Sequence, residues 1–202
     1  MLHQSAVPRH TLELLKLTSP RLDELGFHLA GRTALALRLG HRISVDLDFF
    51  KSGPFAPPDV VDELDALTGS SSKIVQQSEG SVALINQETK FELLRYDSAL
   101  LEPVDQIEGI SLVSLPDNVA MKLSALAGRG SKKDFVDLAA LLETIEISEM
   151  LDWYRRKFPN SDPFIVMKSL TWFEDAEADP DPAFLKGQSW KRIKKVISEA
   201  VR

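Results

Sequence analysis

The sequence contains, at residues 42–50, the segment Arg42-Ile43-Ser44-Val45-Asp46-Leu47-Asp48-Phe49-Phe50. Its alternation of apolar and polar residues predicts a β-strand over residues 43–50. Side chains at positions i and i+2 of a strand point to one side, roughly 6.6 Å apart, so Asp46 and Asp48 share a face with Ser44. Neighbouring carboxylates repel each other, and Mg²⁺ commonly compensates them where phosphates bind. The segment therefore predicts a metal-dependent phosphoryl-transfer site.

A glycine turn precedes this strand, in the segment Leu29-Ala30-Gly31-Arg32-Thr33-Ala34-Leu35. Good helix formers follow Gly31, and the first turn of a helix exposes backbone N–H groups that bind anions. Thr33 adds a hydroxyl that can donate to a phosphate oxygen, and Arg32 adds a positive charge. The turn and the aspartates after it together predict a binding site for the phosphates of a nucleotide.

A third carboxylate is expected nearby, because metal sites for phosphoryl transfer share several. Glu92, in the segment Lys90-Phe91-Glu92-Leu93-Leu94-Arg95, lies on a later predicted strand and is the candidate. The alternative is an ordinary charge on an edge strand. Arg42 either contacts a triphosphate or pairs with an aspartate. His41 is expected to be a loop histidine, and nothing in the sequence supports it as a general base.

A second group of charged residues lies in the C-terminal half. Lys122 interrupts an apolar helix, where it either extends to water or reaches a phosphate. Asp134 and Asp137 are three positions apart, on one face of the next predicted helix. We therefore expect one of the two aspartates to orient Lys122 or Arg129.

Hydrophobic periodicity predicts an N-terminal half of mixed α and β structure and a helical C-terminal half. Three consecutive strands are expected to form an antiparallel meander that extends the sheet. The predicted strands cover residues 26–30, 43–50, 73–77, 82–86, 90–96 and 110–115. The predicted helices cover residues 10–17, 33–39, 59–67, 132–143, 149–157, 164–173 and 188–201, with further helices opening at Ser19-Pro20 and Pro116-Asp117. We expect an α/β core over residues 1–115 and a helical region packed on it over residues 116–202.

Composition excludes several classes of protein. The chain of 202 residues has no cysteine, which excludes disulfides and thiolate metal sites, and its net charge of −6 argues against non-specific coating of nucleic acid. It has no apolar run of roughly 18 residues and no signal-peptide pattern, so we expect a cytoplasmic protein without a membrane partner. Basic clusters at residues 129–133, 155–157 and 186–202 are either solvated helix faces or a track for a phosphate backbone.

Two segments of this sequence resemble the motifs of a known family. Residues 29–50 and residues 121–138 resemble, in this order, the nucleotidyltransferase AbiEii/AbiGii toxin family. The similarity spans roughly residues 25–142. It implies an α+β protein with a polymerase-β-like nucleotidyltransferase fold, in which a mixed sheet with helices is followed by a helical C-terminal region.

The same resemblance implies an activity and partners. Family members act as toxins of toxin–antitoxin systems, and some transfer nucleotides to tRNA ends. The expected partners are a nucleoside triphosphate, a tRNA or protein acceptor and an antitoxin, and the expected cofactor is Mg²⁺ at a two-metal site, with Mn²⁺ as an alternative. The residues implied as metal ligands or catalytic groups are Asp46, Asp48, Glu92, Lys122, Asp134 and Asp137. Those implied at the phosphates are Gly31 and Thr33, beside which Arg32, Arg42 and Ser44 are our candidates.

The chain departs from the family pattern at Arg32, where relatives usually have a second glycine or a small residue. The arginine either crowds the backbone against the triphosphate or supplies a compensating positive charge. A catalytically decayed module that binds a nucleotide or an antitoxin is therefore the alternative to an active enzyme. A small-molecule nucleotidyltransferase of the antibiotic-modifying type is a weaker alternative, because the sequence has no obvious acidic pocket pattern.

Overall fold

The structure, a computed structural model, describes residues 1–128 and 130–202, so Arg129 of the first basic cluster lies outside the described residues. The strands are β1 (His28–Leu29), β2 (Leu47–Lys51), β3 (Lys73–Ser78), β4 (Ser81–Asn86), β5 (Thr89–Arg95), β6 (Asp105–Ile107) and β7 (Ile110–Leu112). The α-helices are α1 (Arg9–Glu24), α2 (Gly31–Leu39), α3 (Pro57–Thr68), α4 (Leu115–Gly128), α5 (Lys132–Leu141), α6 (Ile147–Lys157), α7 (Pro163–Ser169) and α8 (Trp190–Ala200). All seven strands form one mixed sheet, in the order β3-β4-β5-β2-β1-β7-β6.

Helix α1 is continuous, so the prediction of a separate helix opening at Ser19-Pro20 was wrong. Pro20 lies inside α1 although it has no N–H to donate to the carbonyl four residues earlier. The helix continues because Leu14, Leu15 and Leu22, on either side of the proline, are buried in the core. Burying one leucine contributes about 2 kcal/mol. Together the three offset the roughly 3 kcal/mol that an interior proline costs.

The strands on either side of α2 are shorter than the sequence predicted. The strand predicted over residues 26–30 is limited to β1, and the one predicted over residues 43–50 begins only at Leu47. The reason for the late start is that the N–H groups of Ile43 and Ser44 donate to carbonyls outside the sheet. As a result, the first of the paired aspartates lies in the loop before β2, and the second lies within the strand.

The predicted meander is confirmed, since β3, β4 and β5 are sequential antiparallel strands. Strand β5 then pairs in parallel with β2, and Asp48 is directly opposite Glu92. The opposite edge of the sheet is the hairpin of β6 and β7, whose turn has Glu108 and Gly109 at positive φ. The sequence missed β6, because three residues are too few to show an alternating pattern. The parallel pairing of β2 and β5 brings two of the predicted metal ligands onto one face.

Two hydrophobic clusters hold the molecule together. The first joins the sheet to α1 and α3, and the second joins α4 to the helices that follow it. Helix α2 belongs to both, because Ala34 and Leu37 pack in the first cluster and Leu35 packs in the second. The division into a core of residues 1–115 and a helical region of residues 116–202 stays a prediction. Within the part of the chain that the structure describes, no helix has the length and apolar character needed to cross a membrane.

Candidate active site

A cleft of about 530 Å³ lies between the sheet and α4. Strands β2 and β5 form its floor, α4 forms one wall and the first turn of α2 closes one end. Five of the residues that the sequence predicted for the site line this cleft: Gly31, Arg32, Asp48, Glu92 and Lys122. They come from four different elements, which only the folded chain brings together.

Gly31, the first residue of α2, lies against the side chain of Asp48. Its φ is +63°, and a Cβ atom added there would lie 2.7 Å from Oδ2 of Asp48. The N–H of Ala30 donates to the main-chain carbonyl of Asp48 at 2.8 Å, which holds the turn against β2. Glycine is therefore required here both for its backbone conformation and for the close approach. The predicted end of the helix is also confirmed, because Gly40 follows it with φ 60°.

The loop before β2 is fixed by two buried hydroxyls. The Thr33 hydroxyl donates to the main-chain carbonyl of Asp46 and lies 2.8 Å from Oγ of Ser44. Both side chains are thus engaged within the protein, where they hold the aspartate loop. The carboxylate of Asp46 lies 3.3 Å from Nη2 of Arg32. Asp46 lines a separate cavity of about 250 Å³, which also reaches Arg32.

Negative charge accumulates at Asp48. Burial raises the pKa of its carboxyl to about 6, and the charges of Glu92 and Asp46 act in the same direction, whereas Arg32 opposes them. Asp46 is paired with Arg32, and Glu92 is paired with Lys90. Among the described residues Asp48 has no such ion pair, so it is the carboxylate whose charge is least compensated.

Lys122 is held at the wall of the cleft by buried aspartates. Its Nζ lies 2.7 Å from Oδ1 of Asp134 and 2.7 Å from Oδ2 of Asp137. Asp137 also accepts from Nε and Nη2 of Arg42, at 2.7 Å and 2.9 Å, and lies 2.7 Å from Nε2 of His41. Although burial acts to raise it, the charges of Lys122 and Arg42 hold the pKa of Asp137 well below its usual range.

This ion-pair network sets three of the predicted site residues apart from those that line the cleft. Arg42, Asp134 and Asp137 are buried behind Lys122 and do not line the cleft. Of the two alternatives for Arg42, the structure shows the pairing with an aspartate, Asp137. His41 is a loop histidine, as expected, because it lies between α2 and β2. Its side chain is nevertheless fully buried against the same carboxylate, which the sequence did not predict.

Several polar residues of the cleft, among them Lys90 and Asn118, were not predicted from the sequence. Lys90 pairs with Glu92, and this bond raises the pKa of Lys90. The two are positions i and i+2 of one strand, so strand alternation alone identifies them as neighbours. Asn118 donates through Nδ2 to the carbonyl of Gly31 at 3.3 Å, and its buried Oδ1 has no partner within residues 1–128 and 130–202. It lies four positions before Lys122, on the same face of α4.

The predicted basic clusters contain lysines that serve inside the protein. Lys157 is buried, with Nζ 2.6 Å from Oδ1 of Asp117. Lys132 is also buried, and its Nζ lies 3.2 Å from Oδ1 of Asp181. These contacts favour structural roles over a continuous track for a phosphate backbone.

The carboxylates suit a hard divalent cation by their chemistry. Asp46, Asp48 and Glu92 offer oxygen ligands alone, which Mg²⁺ and Mn²⁺ prefer, and Asp48 has no ion-pair partner among the described residues. In the described part of the chain no three His, Cys, Asp or Glu side chains are already gathered as a metal-binding group. Arg32 and Lys90 are the present counter-charges of two of these carboxylates. By the chemistry of their oxygen donors, these three residues therefore fit Mg²⁺ or Mn²⁺.

Residues 86–201 match the sequence profile of the nucleotidyl transferase AbiEii toxin of type IV toxin–antitoxin systems. The chain belongs to this family. The predicted resemblance and the predicted enzyme class, a nucleotidyltransferase, are thereby confirmed. The match contains Glu92 and the second motif around Lys122, and it begins after the paired aspartates.

Relatives with longer alignments extend over most of the chain. An uncharacterized protein of Aquifex aeolicus (strain VF5) is 36% identical over 159 residues, which are 76% of this chain and 76% of that protein. A putative nucleotidyltransferase from H. pylori has a TM-score of 0.63 at 16% identity, over 96% of this chain and 94% of that one. MenT4, a nucleotidyltransferase toxin from Mycobacterium tuberculosis H37Rv, has a TM-score of 0.52 at 17% identity, over 96% and 84%. The predicted nucleotidyltransferase fold of the AbiEii family is confirmed.

Proposed function

We propose that this AbiEii-family protein is a magnesium-dependent enzyme that transfers a nucleoside monophosphate from a nucleoside triphosphate to a hydroxyl group. One observation carries the proposal. Asp48 and Glu92 face the cleft from adjacent strands, beside the first turn of α2 and across from Lys122. Phosphoryl transfer uses acidic groups that lie close to an anion-binding helix N-terminus and to a positively charged side chain. The cleft offers this combination.

The phosphates of the substrate are expected to bind at the first turn of α2. The N–H groups at Gly31 and Arg32 have no carbonyl of an earlier helical turn to bond, and the positive end of the helix favours an anion. The Arg32 guanidinium adds a full positive charge next to the cleft. Lys122, on the wall formed by α4, supplies a second cationic group, which Asp134 and Asp137 hold in place. Two fixed cations and oriented N–H groups stabilise the charge of the transferring group.

Asp46, Asp48 and Glu92 are the residues that would hold magnesium. When bound, the metal neutralises phosphate charge and polarises the phosphoryl oxygens. Asp48 is fixed by its place within β2, and Asp46 is fixed by the Thr33 hydroxyl below its loop. Rigid carboxylates of this kind lose little freedom when ligands bind, so the site is preorganised for the reaction.

In the reaction, the acceptor hydroxyl oxygen attacks the α-phosphorus. The new P–O bond forms as the bond to the β-phosphate oxygen breaks, and pyrophosphate leaves with the electron pair. The hydroxyl proton passes to a carboxylate, for which Glu92 is the candidate. A shallow cavity lined by Glu92, Gln76 and Ser81 adjoins the cleft on the side of β3 and β4. We assign the approach of the acceptor to this side.

The acceptor and the biological role follow from the family. Some relatives transfer nucleotides to tRNA ends, so a tRNA 3′ hydroxyl is the first acceptor to consider, and a protein hydroxyl is the second. Membership of a toxin family of type IV toxin–antitoxin systems implies an antitoxin partner. We therefore propose that the chain is the toxin of such a pair.

An assay with purified protein tests this proposal. The protein is incubated with Mg²⁺, each of four triphosphates labelled at the α-phosphate, and either total tRNA or total protein. We expect one triphosphate to label one acceptor class, and labelling to stop when the metal is chelated. Labelling that is independent of metal, or that appears from a γ-phosphate label, contradicts nucleotidyl transfer.

The ion pair between Arg32 and Asp46 favours a second candidate function. The guanidinium of Arg32 pairs with the carboxylate of Asp46, one of the three proposed metal ligands. Relatives usually have a small residue at the position of Arg32. A protein in which this pair persists would bind a nucleotide without transferring it. Calorimetry with Mg²⁺ and each triphosphate separates the two functions, because binding without labelling of any acceptor is the outcome expected of the decayed module.

Replacing Gly31 with alanine is expected to lower kcat/KM for transfer by about tenfold to a hundredfold. The added Cβ would lie 2.7 Å from Oδ2 of Asp48, so the carboxylate must move. Displacement of a catalytic group by about 1 Å can cost a hundredfold in rate. Steady-state kinetics of transfer measure the effect.

Gly69→Ala is the matched control for this variant. Gly69 has the same φ of +63°, and an added Cβ meets no atom within 4 Å. Both variants carry the backbone strain of about 1–2 kcal/mol, but we expect only Gly31→Ala to lose activity. Equal loss of activity in the two would assign the effect to general destabilisation.

A further inference from the structure

A second cavity, of about 280 Å³, opens beside the catalytic cleft. The two cavities share Phe50, Tyr96 and Met121, so they adjoin each other. We name this cavity the aromatic pocket. We propose that the aromatic pocket binds the nucleobase of the donor triphosphate, an inference that rests on the proposed function.

The direction of the sheet sets where the nucleoside lies. Asp48 is opposite Glu92, and two residues further along β2, on the same face, Phe50 is opposite Leu94 and His28. These two rows are roughly 6.6 Å apart. The phosphates bind at the end of the cleft where α2 begins. The nucleoside therefore extends away from α2, over the second row and into the aromatic pocket.

The exposed surface of the aromatic pocket is mostly apolar, and its walls are held in place. The rings of Phe50 and Tyr96 are 5.3 Å apart at 84°, and Nζ of Lys157 lies 5.5 Å from the centre of the Tyr96 ring. Lys157 is fixed in turn, because it donates to Oδ1 of Asp117 at 2.6 Å and to the carbonyl of Ala99 at 3.0 Å. Tyr96 is thus preorganised, which lowers the cost of ordering it around a ligand.

Apolar surface inside the aromatic pocket is open to solvent. Phe50, Tyr96 and Met121 are each partly exposed rather than buried. A flat base covers such surface by stacking, which is sequence-tolerant because every base has a π face. The pocket also contains groups that can donate hydrogen bonds. Burial raises the pKa of Tyr96 to about 12, so its hydroxyl keeps its proton at neutral pH. Lys51 also lines the pocket.

Asn118 supports the same placement of the nucleoside. It lines the cleft between the phosphate end and the aromatic pocket, three positions before Met121 on the same helix. Its buried Oδ1 has no partner in the described chain, and a buried acceptor without a donor is costly. A ribose hydroxyl is a donor of the right chemistry to satisfy it.

The Kd of a nucleotide, compared with the Kd of inorganic tripolyphosphate, isolates the contribution of the nucleoside to binding. Calorimetry in Mg²⁺ measures the Kd of both probes for wild type, Met121→Trp, which fills the pocket, and Tyr96→Ala, which removes a wall. The nucleotide is whichever of ATP, CTP, GTP and UTP binds wild type most tightly. We expect both variants to weaken nucleotide binding about tenfold to a hundredfold, because stacking on one side chain carries that much affinity. Tripolyphosphate binding should change less than twofold.

Leu17→Trp, on the exposed side of α1, is the control for adding an indole. Equal weakening of nucleotide and tripolyphosphate in the pocket variants overturns the inference. Unchanged nucleotide binding with a raised KM for the acceptor also overturns it, because the pocket would then hold the acceptor. Wild-type protein that binds neither probe overturns the proposed function itself, and the inference with it.

Discussion

Asp48→Asn is expected to lower the rate of nucleotidyl transfer by about a thousandfold while the fold is kept. Asparagine has nearly the size of aspartate, but it lacks the negative charge that a metal ligand at this place needs. Loss of metal-based charge stabilisation costs several kcal/mol of transition-state free energy, and each 1.36 kcal/mol is a factor of ten in rate. Single-turnover transfer with the labelled triphosphate measures the effect.

The same substitution should leave stability unchanged or raise it. Burial and the neighbouring carboxylates raise the pKa of Asp48 to about 6, so the folded protein holds this proton more tightly than the unfolded chain does. Its charge therefore destabilises the metal-free fold progressively as pH rises from about 4 to about 6. Asparagine does not titrate. Urea unfolding in the presence of a chelator should show that the free energy of unfolding of the variant rises relative to that of wild type as pH increases across this interval.

Asp152→Asn is the matched control for this variant. Asp152 lies on α6 with its side chain 67% exposed, paired to Arg155 on the same helix. We expect wild-type transfer and wild-type stability from it. An Asp48→Asn protein that is folded and still transfers at more than a tenth of the wild-type rate would remove Asp48 from the metal site and end the proposed mechanism.

From the sequence, the presence of each helix or strand could be predicted better than the residues at which it begins and ends. The meander is read from three alternating strands and the turns between them, which are local features. The start of β2 is not local, because Ile43 and Ser44 lose their place in the sheet to carbonyls of Ala183 and Ala6. The continuity of α1 through Pro20 likewise depends on the core that buries its apolar face.

In the candidate site, too, the sequence predicted local features but not contacts between distant residues. Strand alternation predicted that Asp46 and Asp48 share a face, but Asp46 lies in the loop before β2 and lines a separate cavity. The role of Gly31 follows from the turn before a helix. That Glu92 lies opposite Asp48 depends on the parallel pairing of two strands that are not consecutive. The burial of Asp137 against Arg42 joins residues 95 positions apart, and no periodicity in the chain encodes such a contact. The sequence could therefore name these residues without separating those that face the cleft from those behind it.

Asp137→Asn is expected to lower the free energy of unfolding by about 3 kcal/mol. Asp137 is fully buried and holds Arg42, Lys122 and His41, and removing one partner of a buried ion pair leaves buried charge uncompensated, at about 3–5 kcal/mol. For a chain of this size the melting temperature should fall by about 6–12 °C. Urea and thermal unfolding near neutral pH measure the effect.

Acid should erase this difference. The pKa of Asp137 is held well below its usual range, so its contribution is present above about pH 4, the ordinary range of an aspartate. It is lost as pH falls through the lowered pKa of the folded protein, where wild type and variant converge. Asp152→Asn again serves as the control, because its carboxylate is 67% exposed and pairs with the exposed Arg155. It should cost less than about 1 kcal/mol.

The activity of the Asp137→Asn protein decides what this carboxylate does. Lys122 keeps its contact with Asp134, 2.7 Å away, so well below its melting temperature the variant should keep more transfer activity than Asp48→Asn does. If Asp137 only positions Lys122, the variant should lose stability, and it should lose activity only as it unfolds. If Asp137→Asn unfolds like wild type but loses transfer as completely as Asp48→Asn, then Asp137 contacts the substrate, and the cleft must open behind Lys122 during the reaction.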